Sequence, residues 1–250
     1  MKNYIFTVLI SVIIFPAVFA QKQPEIKTDT CENFREQLFK NGKVNFGLKA
    51  GFNYSDLYGG EIGYIFAEKH TSWLPSFHIG VTVNSKIGKY FWLKHELLLI
   101  QKGAGVTLSD SINGNYASQL KMLSLDLFPL SPVFHYKALQ LYAGPYISAL
   151  VDAQIKRKDI NGKEFNDHSV FGDGMQFENK TKYLQKFDFG INVGIEYEFT
   201  SGLSIGAKYT QGFTDLFQYA NSHTFNDPLK EISIYNRSLL FSVGYSFHKK

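Results

Sequence analysis

A hairpin between Phe187 and Gly212 alternates so strictly that it restricts the chain to a sheet with one apolar and one polar face. Phe187, Phe189, Ile191, Val193, Ile195, Tyr197 and Phe199 take one side, with Asp188, Gly190, Asn192, Gly194, Glu196 and Glu198 between them. After Thr200, Ser201 and Gly202, the return arm sets Leu203, Ile205, Ala207 and Tyr209 against Ser204, Gly206, Lys208 and Thr210. A period of two is the signature of a β-strand. Carboxylates and a lysine among glycines suit the narrow inside of a closed barrel whose apolar side meets lipid.

The pattern recurs along the chain. The first strand sets Val44, Phe46, Leu48, Ala50, Phe52 and Tyr54 outward, and the second Trp73, Pro75, Phe77, Ile79, Val81 and Val83. Each approaches the roughly 9–11 residues that cross a bilayer when tilted. In the third, Tyr90 to Lys102, Leu93, Leu97 and Leu99 face out while Lys94 and Glu96 face in; this parity also turns His95 to the lipid and Leu98 inward, and a bulge there would mend it. The fourth runs from about Gln119 to Leu130 and the fifth from Leu139 to Val151, where Pro145 interrupts an ordinary ladder. The hairpin supplies strands six and seven, and Arg237 to Phe247 the eighth. Connections after strands two, four and six are short and the others long, the asymmetry of an outer-membrane barrel. Tyr90, Phe91, Trp92, Tyr197, Phe199 and Phe247 at the turn side, and Phe52, Tyr54, Trp73, Phe187 and Phe213 at the loop side, fit two headgroup belts.

Met1 to Lys2 and an apolar stretch to Phe19, with Val18 and Ala20 as small residues before the cleavage point, read as a signal peptide over residues 1–20. Residues 21–42 form a polar periplasmic leader holding the single Cys31, and residues 43–250 the barrel. One cysteine excludes an intramolecular disulfide framework. The net charge of +4 is small and dispersed, the longest polar loop, Asp152 to Gln185, mixing both signs, so no nucleic-acid footprint exists.

The inward charges Lys49, Lys94, Glu96, Asp126, Asp188, Glu196 and Lys208 are the candidate site: a mixed-sign interior network. Side chains fill an eight-stranded interior, so the expected outcome is a closed network that stabilises the barrel, with an ion path as its rival. His70, His78, His95, His135, His168, His223 and His248 are scattered, which argues against a metal site. An enzyme needs Ser, His and a carboxylate converging near one leaflet; His95 is the histidine placed on the lipid side, and no serine accompanies it. The loops are rich in aromatics: Tyr58, Tyr64, Phe66 and His70 in the first, Phe165, Phe171, Met175 and Phe177 in the third, Phe213, Phe217, Tyr219 and Phe225 in the fourth. They either bind a partner or fold over the mouth and bury one another. A secreted lipocalin-like barrel predicts the opposite faces, an apolar interior and a polar exterior.

Phe46-Gly47-Leu48-Lys49-Ala50-Gly51-Phe52-Asn53-Tyr54-Ser55, Glu96 to Ala104, Ala143-Gly144-Pro145-Tyr146, Phe187-Asp188-Phe189-Gly190 and Ser242-Val243-Gly244-Tyr245-Ser246-Phe247 together resemble the PorT-like outer-membrane β-barrel family. The resemblance implies an eight-stranded barrel in the outer membrane of a Gram-negative bacterium, one branch of the family belonging to a protein secretion system. The expected fold is therefore all-β: a closed antiparallel eight-stranded transmembrane β-barrel, with short periplasmic turns and long extracellular loops. The expected protein is a monomeric, non-enzymatic structural or surface-binding barrel surrounded by outer-membrane lipid, without a cofactor. The alternative is a subunit of a secretion or surface complex, docking a protein partner through its leader or loops.

Overall fold

The computed structural model describes residues 44–170, 184–217 and 233–247. The expected signal peptide, the leader with Cys31, and the loop residues Phe171, Met175, Phe177, Tyr219 and Phe225 lie outside the described residues. Nine strands run in chain order: β1 (Val44–Tyr58), β2 (Leu74–Lys86), β3 (Phe91–Asp110), β4 (Gly114–Tyr136), β5 (Leu139–Lys158), β6 (Glu164–Asp167), β7 (Phe187–Glu198), β8 (Leu203–Gly212) and β9 (Tyr235–Phe247). A single helical turn, α1 (Ile62–Ile65), follows β1.

Eight of these strands close a ring in the order β4-β3-β2-β1-β9-β8-β7-β5, and β5 returns to β4. Every pairing is antiparallel, and the seam joins the first strand to the last, from Phe46 opposite Phe247 to Tyr58 opposite Tyr235. Closure removes the sheet edges that would otherwise recruit other chains. The ninth strand, β6, stands outside the ring and pairs with the far end of β5, where Ile155 faces Asp167.

The faces follow the alternation. Phe52, Phe77, Ile79, Phe189, Ile191, Val193, Ile205, Phe241 and Val243 are all exposed on the outside. So continuous an apolar belt would be a liability in water and is a requirement in hydrocarbon. At the turn side it is bordered by ring pairs, Phe91 with Phe134, Tyr197 with Phe199 and Tyr245 with Phe247, at centroid distances of 5.9, 5.0 and 5.3 Å. Among the described residues no helix is long and apolar enough to cross a membrane, so crossing falls to the strands.

Three expectations change in detail. The bulge lies in the fourth strand, not the third: Lys94 faces Ser131 while Glu96 faces Phe128, so His95 meets an extra residue of β4. His95 is accordingly buried, donating through Nδ1 to the Pro129 carbonyl, rather than presented to lipid. Pro145 sits within a continuous β5, paired with Ile191 of β7. The β4–β5 register is broken between Leu127 and Val133, beside Pro145, so its missing N–H falls where the ladder is already interrupted.

The connection after the third strand is also short. β3 and β4 stay paired up to Asp110 opposite Gly114, and β5 runs on to Lys158 before folding back as β6. Beyond the apolar belt these strands keep alternating, because Val106, Leu108, Tyr116, Leu120, Ala153 and Ile155 bury themselves on one face. The result is a wall that stands above the rest of the ring. Its two hairpin tips are clipped together, Asn113 Nδ2 donating to the Asp159 carbonyl at 3.1 Å.

Candidate functional site

Inward side chains at mid-height come from strands far apart in sequence, because the ring brings β1, β3, β7 and β8 around one narrow lumen. Lys49 of β1 donates to Glu96 of β3 and to Glu196 of β7, each at 2.6 Å. Lys94 of β3 reaches Glu196 at 3.0 Å, and Lys208 of β8 pairs with the second oxygen of Glu96. Three lysines thus share two glutamates, and all five side chains are buried. The extra positive charge lies against rings: the Lys208 ammonium is 3.7 Å from the Phe128 centroid, and that of Lys94 is 4.5 Å from Tyr142. An aromatic face supplies a desolvated cation with a partial negative partner.

Nearer the loops a second group forms. Asp126 of β4 pairs with Lys102 of β3 at 2.7 Å and accepts from Ser148 of β5 at 2.5 Å. Asp188 of β7 accepts from the Tyr146 hydroxyl at 2.9 Å. The seven residues singled out from the sequence therefore divide into a cluster of five and two carboxylates, Asp126 and Asp188, that belong to the second group. Lys102 was missing from that set, although its parity with Lys94 and Glu96 marks it as inward.

Tyr142 and Tyr146 of β5 lie over their directly paired glycines on the adjacent β7. A Cβ at Gly194 would stand 2.4 Å from Cζ of Tyr142, and one at Gly190 would stand 2.5 Å from Cε1 of Tyr146. The polar lumen is also not uniformly polar. Leu98, Ile100, Phe128, Tyr146 and Leu240 form a buried apolar layer. Phe128 joins it as the last inward position of β4 before the bulge, in parity with Ser124 and Asp126; beyond the bulge the inward positions change to Ser131 and Val133.

Among the described residues the loop-side end of the lumen is filled. On the loop side Leu57, Ile62, Phe66, Leu120, Phe217 and Ile234 belong to a larger buried cluster, in which the Phe66 and Phe217 rings meet edge to face at 6.5 Å. Of the loop aromatics, Phe66 and Phe217 therefore bury each other, whereas Tyr64, Phe165 and Phe213 remain exposed. At the turn side Trp92 stacks on His135 with centroids 4.9 Å apart. Between the second group and the loop-side cluster a cavity of about 20 Å³ touches Ser124, Ser148, Asp188 and Asn236, room for about one water.

Chemically, such a lumen holds charge in fixed pairs. Among the described residues the histidines do not gather with other potential ligands: His78 bonds to Ser242 at 2.9 Å inside the barrel, and His168 lies 3.3 Å from Asp152 in the wall.

A protein-family profile described as outer membrane protein beta-barrel domain matches residues 19–218. Among solved structures, the fold is similar to neisserial surface protein A (NspA), at 11% identity over 81% of this chain and 97% of that one, with a TM-score of 0.44. It is similar to Ail, the attachment invasion locus protein of Yersinia pestis, at 13% identity over 82% and 99% of the two chains, with a TM-score of 0.43. OprG from Pseudomonas aeruginosa gives 13% identity, 82% and 96% coverage, and a TM-score of 0.43. No curated protein sequence matches the chain.

Proposed function

The chain belongs to the outer membrane protein β-barrel domain family and resides in the outer membrane of a Gram-negative bacterium; from that premise we propose that it is a sealed, non-enzymatic barrel that acts through its surfaces. The observation carrying this reading is the filled lumen. Five mutually paired charges, an apolar layer and a filled loop-side end leave the interior to stability and the exterior to recognition. The residues Lys49, Lys94, Glu96, Asp126, Asp188, Glu196 and Lys208 are structural in this proposal. Their role is to hold eight strands at one radius. The exposed apolar exterior counts against a secreted lipocalin-like protein, whose faces are reversed.

A second reading, a subunit of a PorT-like secretion or assembly complex, draws on the wall. Its clipped tips carry Ile112 and Ile160, which are 63% and 74% exposed. Isolated apolar side chains at the end of a rigid projection suit contact with another protein. One experiment separates the two readings: affinity purification of the tagged chain from solubilised membranes, with and without residues 21–42. The stand-alone barrel predicts that the chain is recovered without a stoichiometric partner. A stoichiometric partner recovered with the full chain would overturn it in favour of the complex, its loss on truncation placing the contact on the leader and its retention placing the contact on the loops or wall.

A further inference from the structure

On the outside of the barrel, at the loop-side end of the β1–β9 seam, the apolar belt gives way to a built polar cluster. Arg237 of β9 stands opposite Asp56 of β1, and opposite Gln211 of β8 on its other side. Asp56 is only 2% exposed. It accepts from Arg237 Nη2 at 2.6 Å, from Arg237 Nε at 3.2 Å and from Thr71 Oγ1 at 2.6 Å. The side-on edge of the guanidinium is thus committed to Asp56. Its end-on edge, formed by Nη1 and the second Nη2 proton, faces away from that carboxylate, and the side chain is 35% exposed.

Rings surround this edge. The guanidinium carbon is 5.1 Å from the Trp73 ring and 5.9 Å from that of Tyr58. Tyr58 packs on Tyr235 at 5.3 Å and is anchored by its hydroxyl, which donates to the Gly212 carbonyl at 2.7 Å. Below lies the exposed apolar surface of Phe52 and Phe241, which are paired across the same seam.

We propose that this cluster is a lipid-headgroup site, taking the phosphorylated sugar of an outer-leaflet glycolipid. The end-on guanidinium edge matches two phosphate oxygens. Trp73, 45% exposed, offers a flat apolar face for a sugar ring, and Phe52 and Phe241 meet the acyl chains. Asp56 and Thr71 fix the Arg237 rotamer in advance, which lowers the ordering cost of binding. The inference rests on the reading that the loop-side rim lies in the outer leaflet.

The test uses the chain's two tryptophans. In a Trp92→Phe protein, Trp73 is the sole tryptophan and is excited selectively above the tyrosine absorption. Folded protein, verified by its unboiled gel band, is placed in phosphatidylcholine bicelles and titrated with lipid A or with phosphatidylglycerol. The proposal expects a saturable change in Trp73 emission with lipid A, and much weaker binding of phosphatidylglycerol. Arg237→Lys retains the charge facing Asp56 but loses the fork, and is expected to weaken lipid A binding by about tenfold. Equal response to both lipids, no response, or an unchanged affinity in Arg237→Lys would each overturn it. Failure of the protein to enter bicelles at all would instead overturn the barrel reading beneath it.

Discussion

Glu96→Ala is expected to lower the unfolding free energy by about 3–5 kcal/mol, the scale for stripping one partner from a buried ion pair. Glu96 accepts from Lys49 and Lys208, and its loss leaves Lys49 and Lys94 sharing Glu196 and strands Lys208 without its carboxylate. Those ammonium groups are buried and have no water to turn to. Against a marginal stability of about 5–15 kcal/mol, this is a large fraction. Urea unfolding in lipid or detergent, followed by loss of the fast-migrating folded band, measures it. A second substitution, Lys208→Met, removes the stranded cation and keeps an apolar contact with Phe128. It is expected to restore more than half of the loss. A double mutant no better than Glu96→Ala would show that the lysines do not depend on Glu96.

Gly194→Val is the second large effect, and it acts through shape rather than charge. The added Cβ meets Cζ, Oη and Cε2 of Tyr142 at 2.4–2.6 Å. Tyr142 cannot withdraw freely, because it is buried with the ammonium of Lys94 against its face. Overpacking of this kind costs about 1–3 kcal/mol. Slower folding into vesicles and a lower urea midpoint are the expected readouts. Truncating the ring in Gly194→Val/Tyr142→Ala relieves the clash, so the valine should then cost less than it does in the parent. Gly60→Ala is the matched control, since a Cβ there meets nothing within 4 Å.

Period-two alternation carries most of the architecture, since it depends only on which side of a pleat a residue occupies. It orients Lys49, Glu96, Glu196 and Lys208 without knowledge of which strands adjoin. Which charge meets which is a property of the ring, and the pairing of β1 with β9 brings together residues separated by most of the chain. Local pattern cannot show that. Parity also fails wherever a bulge intervenes: the extra residue in β4 covers His95 and moves the inward positions from even numbers, ending at Phe128, to the odd Ser131 and Val133. The upper wall was missed for a different reason. Residues 103–118 mix glycine, polar and apolar side chains like a loop, yet β3 and β4 remain paired there because β5 continues beside them and the inner face stays dry. The Asp56–Arg237 cluster gave no sequence signal, its members being far apart in the chain.

A lipid-embedded closed ring is the claim from which everything else follows. The most direct test is electrophoretic mobility of the mature protein from carbonate-washed outer membranes, compared unboiled and boiled. Retention in the washed membrane with a band that shifts on boiling is the predicted result, because a closed eight-stranded barrel resists detergent until heated. Release into the wash with one heat-independent band would contradict the account and turn the apolar face inward.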